Sequence, residues 1–270
     1  MILLDQAGAG ADGARFLPPS PAHVPWAEYL WTQQVDAAPI GRTWRVVPDL
    51  NPYLIFTVAP AGSRLHTRCF IVGARSRFTD VAMATRTVTG GACLRPGALP
   101  HLTRLPSSDF TDQSIPVEAV FGAQGKLLIE RLGEPASCHG ALDIVAAFLA
   151  EVWTGQNRRA SLPIDGCNRV EQLAAQTDLP RRTLQSRLRR EVGLSPKRVL
   201  RIQRLHRALK LAQDRSSTWP QVAASSGFAD QAHMIREFVD LLGESPTAWR
   251  QRSRLPISSI PRASPPHILR

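Results

Sequence analysis

The 270-residue sequence has no run of eighteen apolar residues, so no segment is suited to span a bilayer as a helix. Its amino terminus, "MILLDQAGAGADGARF", lacks the basic start and sustained apolar core of a secretory signal. A cytoplasmic protein with no membrane partner is expected. Cysteine is scarce: Cys69, Cys93, Cys138 and Cys167 form no CxxC pair and have no close histidine partners. A zinc motif or disulfide framework needs tighter clustering, so buried reduced thiols are expected. Despite His66, His101 and several carboxylates, there is no nucleophile elbow, no HxH or HExxH, and no phosphate-cradling glycine loop. No enzyme, metal or cofactor is therefore expected.

Lysine is also rare, with 3 against 30 arginines, and the net charge is +11. Abundant Ala and Pro point to a compositional bias that selects Arg over Lys. That bias does not explain where the excess lies. Residues 1–150 carry 12 basic and 12 acidic side chains, whereas residues 151–270 carry 21 and 10. A neutral domain joined to a strongly basic one implies a polyanionic partner, nucleic acid before membrane.

The hydrophobic fraction, 43%, is ordinary for a globular chain of one large or two small domains. Residues 1–17 are Gly/Ala-rich and read as a disordered terminus. Aromatic anchors follow in "WAEYLWTQQV". Short runs rich in Val, Ile, Thr and Phe come next: "TWRVV", "YLIFTVA", "RCFIVGA", "ATRTVTG" and "GACLRP". Each is bounded by turn residues, as strands are. Farther on, "IPVEAVFGAQGKLLIERL" and "GALDIVAAFLAEVW" space apolar residues at three and four, which predicts helices. The expected organisation is a β-rich domain with carboxy-terminal helices over 18–153, a polar linker over 154–168, a helical domain over 169–251, and a basic disordered tail over 252–270.

The helical domain contains an internal repeat. "LAAQTDLPRRTLQSRLRREVGLSPKRVLR", from Leu173, aligns with "VAASSGFADQAHMIREFVDLLGESPTAWR", from Val222. Each copy reads as a helix-turn-helix: small Ala residues where helices cross, then Asp178 or Gly227 in the turn, then a second helix. That second helix buries Leu184 and Leu188, or Met234 and Phe238, and stops at Gly193 or Gly243. Asp230 is placed to cap the second copy's helix, and Ser195-Pro196 and Ser245-Pro246 each open a further helix. Between the copies, Val199, Ile202, Leu205, Leu209 and Ala212 form one apolar stripe. Arg198, Arg201, Arg204 and Arg207 recur every three residues, as a solvated face or as the basic side of a connector.

From Val170 to Arg250 the sequence resembles the DNA-binding domain of AraC/XylS-type bacterial transcription regulators, most clearly in "GFADQAHMIREFVDLLGESPTAW". The segments "TWRVVPDLNPYLIF", "FIVGARSRF" and "CLRPGAL" are similar to the β-rich sensory domains that precede this module. The resemblance implies an α+β chain. A small antiparallel, barrel-like sensory domain would precede an all-α domain of two helix-turn-helix units joined by a linker helix.

The second helix of each unit would enter the major groove of promoter DNA. The DNA-facing candidates are Arg181, Arg182, Gln185, Ser186 and Arg189 on the first unit. On the second they are Gln231, Ala232, His233, Ile235 and Arg236. Ser186 stands where the family often has Arg. RNA polymerase is an implied partner, and activation the commoner implied mode. The β-rich half would bind a small-molecule effector or mediate pairing into a homodimer. Trp44, Arg45 and Arg95 lie beside its motifs, and structural use accounts for them equally well. Two other readings remain at this stage: an architectural, sequence-independent DNA binder, and a DNA-repair alkyl transferase with a reactive cysteine.

Overall fold

The computed structural model describes residues 3–5, 15–20, 22–23, 25–35, 43–61, 64–82, 86–134, 138–155, 164 and 166–252. Of the tail expected over 252–270, Arg252 is the last residue of a helix and the rest lies outside the described residues, as does most of the expected linker. The expected disordered terminus over 1–17 contains two paired strands, β1 (Leu3–Asp5) and β2 (Arg15–Leu17). Their order comes from neighbours distant in sequence, which Gly/Ala-rich composition does not reveal.

The strands β3 (Ala27–Val35), β4 (Thr43–Val46), β5 (Tyr53–Ala61), β6 (Arg64–Val72), β7 (Thr79–Ala82), β8 (Thr87–Leu94) and β9 (Ser114–Pro116) complete the β domain. They form two antiparallel sheets, ordered β1-β4-β7 and β2-β3-β8-β5-β6-β9. The larger sheet buries both faces, and the two-residue period of its strands divides the side chains between them. On β5, Leu54 and Phe56 enter the main core while Tyr53 and Ile55 face a second cluster with Tyr29, Trp31 and Cys93. Burial on both sides also explains why β3, the stretch "AEYLWTQQV", shows no clean alternation and reads only as an aromatic segment.

The main core is closed by α1 (Leu99–Thr103), α2 (Val117–Phe121), α3 (Ala123–Leu132) and α4 (Cys138–Val152). Leu128, Leu132, Leu142, Val145 and Leu149 lie against Leu54, Phe56, Ile71 and Leu94. The expected helix "IPVEAVFGAQGKLLIERL" is divided. Its first residues extend the large sheet as β9, and Gly122 separates α2 from α3. Cys69, Cys93 and Cys167 are buried free thiols.

The helical domain consists of α5 (Val170–Thr177), α6 (Arg181–Glu191), α7 (Pro196–Leu211), α8 (Trp219–Ser226), α9 (Gln231–Leu242) and α10 (Pro246–Arg252). It has two small cores, and α7 belongs to both. Val199, Leu200 and Ile202 join Leu173, Leu184 and Leu188. Leu205, Ala208, Leu209 and Ala212 join Val222, Phe228, Met234, Phe238 and Trp249. At about 25 cal/mol per Å2 of apolar area, each buried Val, Leu, Ile, Met or Phe side chain among them contributes roughly 1.5–3 kcal/mol. One amphipathic helix thus ties the two units into one domain.

Candidate nucleic-acid interface

Both units turn by the same backbone device. The Ala174 carbonyl accepts from the Leu179 N–H (3.1 Å), and the Ala175 carbonyl from the Asp178 N–H (3.2 Å). Forty-nine residues later, Ala223 accepts from Phe228 (3.0 Å) and Ala224 from Gly227 (3.1 Å). Two helix-end carbonyls are satisfied each time, and the residue at the reversal is left-handed. Asp178 sits at φ 51° and Gly227 at φ 84°. The helix starts repeat as well. The Gln172 side chain accepts from the Arg169 N–H (3.2 Å), as Gln221 does from the Thr218 N–H (2.9 Å). This Gln pair keeps the 49-residue offset and stands one residue before each aligned copy begins.

The turn delivers the second helix with one face inward. On α6, Leu184 and Leu188 are buried, and Arg181, Arg182, Gln185, Ser186 and Arg189 are all exposed. On α9, Met234, Phe238, Leu241 and Leu242 are buried, and Gln231, Ala232, Ile235 and Arg236 are exposed. His233 sits differently. Its ring meets Phe228 edge-on at 5.5 Å, its Nδ1 accepts from the Ala229 N–H (3.3 Å), and its Nε2 lies 3.7 Å from Glu237. It is half-buried and braces the turn from the same face. Asp230 caps α9 as expected, accepting from the His233 N–H at 2.6 Å. An apolar neighbour that sequence reading passed over is Val239, 51% exposed one turn beyond Ile235.

The arginine row on α7 is not a uniform basic face. Arg201 donates to Glu237 (2.7 Å) and Asp240 (2.5 Å), both on α9. Burial alone would lower its pKa, but the two carboxylates reverse the sign and hold it above the ordinary arginine value. Its hydrogen bond in turn holds Asp240 below the usual carboxylate range. Arg204 and Arg207 donate to the Asn168 carbonyl and side-chain oxygen, and Arg207 also reaches the Ser226 carbonyl. Burial lowers the pKa of Arg204. These three residues join the units to each other; Arg198 remains exposed. The reason is proximity: α9 and the Asn168 segment pack where a sequence shows only a solvated stripe.

The residues singled out in the β domain also have structural partners. Arg95 is buried and pairs with Glu28 at 2.6 Å. Arg45 pairs with Asp80 (2.8 Å) and lies over the Phe78 ring at 4.3 Å. The side chain of Trp44 lies outside what is described. Burial pushes the Cys93 thiol up to about 12 and raises that of Cys69 further, the opposite of what an alkyl-accepting thiolate needs. Among the described residues, no group of His, Cys, Asp and Glu could hold a metal, and no helix is long and apolar enough to cross a membrane.

Comparison with known proteins matches residues 173–252 to a family described as "Helix-turn-helix domain". The match begins at the first residue of the internal repeat and ends with α10, so it covers both turns and both exposed faces. Residues 173–252 are thus a helix-turn-helix domain of the AraC/XylS type. The β domain matches, over residues 15–116, a "Domain of unknown function (DUF6597)".

Over 84 residues the chain is 36% identical to the HTH-type transcriptional activator RhaR of Pectobacterium atrosepticum, spanning 31% of this chain and 30% of that protein. The DNA-binding domain of the global transcriptional factor AdpA, solved in complex with a target DNA, is 34% identical. That likeness covers 31% of this chain and 75% of the other, with a TM-score of 0.30. ToxT from Vibrio cholerae is 10% identical over 83% of this chain and 98% of its own, with a TM-score of 0.41. Both TM-scores lie below 0.5, and the assignment rests on the helix-turn-helix domain itself.

Proposed function

We propose that this AraC/XylS-type chain is a cytoplasmic transcription regulator that binds double-stranded promoter DNA sequence-specifically, as an activator, through α6 and α9. One observation carries the reading: the same turn is built twice, and each copy exposes one helix face while burying the opposite one.

Major-groove recognition uses the first turns of such helices. Gln231 suits the N6/N7 edge of adenine, Arg236 suits guanine O6/N7, and Ala232 and Ile235 suit thymine methyl groups. Val239 extends that apolar strip. Arg181, Arg182, Gln185, Ser186 and Arg189 form the corresponding face of α6, where arginine makes phosphate contact a larger part of the work. Two units on one chain read two segments roughly 10 base pairs apart. The activator mode accords with that of the RhaR relative. RNA polymerase is then the second macromolecular partner. The β domain is the place for an effector or for homodimer pairing.

Selection of bound sequences from random DNA, followed by footprinting, tests this. Two short protected blocks about one helical turn apart are expected. A pool returned without enrichment, with binding that depends only on salt, would favour an architectural binder instead.

A further inference from the structure

The last carbonyls of an α-helix find no partner within the helix. In this molecule the β domain supplies donors at the ends of both exposed-face helices. At the end of α6, the Ser107 hydroxyl donates to the Glu191 carbonyl (2.7 Å) and the Thr111 hydroxyl to the Gly193 carbonyl (2.9 Å). At the end of α9, the Phe78 N–H donates to the Leu241 carbonyl (2.9 Å) and the Arg45 guanidinium to the Leu242 carbonyl (3.1 Å). The stop glycines make room for this. A Cβ on Gly193 would stand 2.3 Å from Thr111 Oγ1, and one on Gly243 would stand 2.6 Å from the Phe78 ring.

A third contact lies between these two. Val47 is fully buried in the core of the second unit, and Leu50, with Ala74, is buried in the core of the first. The intervening Pro48 carbonyl accepts from His206 Nε2 of α7 at 2.6 Å. This short segment is itself held in shape. Asp49 accepts from the Tyr53 hydroxyl (2.5 Å) and the Asn51 N–H (3.2 Å), and exchanges backbone bonds with Arg75.

We propose that the β domain is a spacing gauge for DNA reading. By holding the carboxy-terminal ends of α6 and α9 together, it sets the separation and rotation at which their exposed faces meet the duplex. The inference rests on the reading of both helices as DNA readers. Within the helical domain the units are joined through α7 and its arginine ties. Separate supports at the two helix ends add points that fix their relative rotation. The grip does not cover the reading faces, which stay exposed in the same structure. Arg45, Phe78, Ser107 and Thr111 are therefore positioning residues.

The test uses the full chain and the DNA site recovered by selection. Affinity is measured for that site and for versions with one base pair inserted or removed between the two protected blocks. Wild type is expected to lose about tenfold or more on respaced sites, as for a mismatched pair. Ser107→Ala combined with Thr111→Val is expected to shrink that penalty to about threefold. Its affinity for the original spacing should change less. Thr111→Ser, which keeps the hydroxyl, retains the wild-type profile. Thermal unfolding checks that each variant is folded; Arg45→Met, at the other grip, carries the same expectation if the double variant is not. Folded variants that keep the tenfold penalty overturn the gauge and leave the DNA reading intact. A wild-type chain with no preferred sequence overturns both.

Discussion

The two helix-turn-helix units share a backbone plan and differ in nearly everything attached to it. The first turns at Asp178, a residue with a Cβ at φ 51°, and enters α6 from Pro180 without a side-chain cap. The second turns at Gly227 and enters α9 through the Asp230 cap. Five arginines stand on α6, whereas α9 has one, accompanied by two carboxylates that bind Arg201. Backbone hydrogen bonds and a buried stripe at i and i+4 are thus enough to define the unit. The exposed chemistry is free to diverge and, under the proposed function, does so toward phosphate attraction on α6 and mixed base-edge contacts on α9.

That contrast can be broken at the core. Phe238→Ala should cost ~3–5 kcal/mol and Leu188→Ala ~2–5 kcal/mol, read by denaturant unfolding. Because α7 lies in both cores, each variant should still show one transition. Separate transitions would mean that the units fold independently.

The contrast is sharpened at the surface. Arg236→Ala should lose ~1–3 kcal/mol of specific binding and relax preference at one base position, while Arg189→Ala should weaken all sequences alike and reduce the salt slope by about 1. Footprint titrations at several salt concentrations distinguish the two patterns, and identical salt slopes for both variants would erase the proposed division.

Smaller effects probe the turns. Asp230→Ala should destabilise by about 1 kcal/mol, a loss with no counterpart at Pro180. Asp178→Gly should instead stabilise by up to about 1 kcal/mol, since a left-handed residue with a Cβ is relieved. Paired thermal melts check both signs.

The smallest effect belongs to the clasp. Arg201→Met should cost about 1 kcal/mol, because the ion pairs are partly solvated. The pKa of Asp240 is depressed in the folded state. Its contribution is present above the unfolded value near pH 4 and is lost as pH falls through the lower folded value. A pH series of melts should show a weaker acid-side decline in Arg201→Met than in wild type.

Much of the helical domain is legible because its causes are local. The 49-residue repeat, the small Ala residues, the stop glycines and the buried pairs Leu184/Leu188 and Met234/Phe238 all act within a few residues of chain. The outward placement of the ten residues expected to face DNA follows the same local pattern, with nine exposed side chains and His233 half-buried. The β domain is less so. β3 is buried on both faces and lacks the period of an edge or surface strand, and β1, β2 and β9 owe their form to partners far along the chain.

The sequence by itself determined the two turns, the inward faces and the location of positive charge, since each follows from short-range periodicity, capping and composition. Only the tertiary structure decided that Arg201, Arg204 and Arg207 are internal ties, and that Ser107, Thr111, Phe78 and Arg45 close the ends of α6 and α9. A side chain's number of donors is written in its type. Which acceptor it reaches across 36 or 197 residues of chain depends on where the other segment packs.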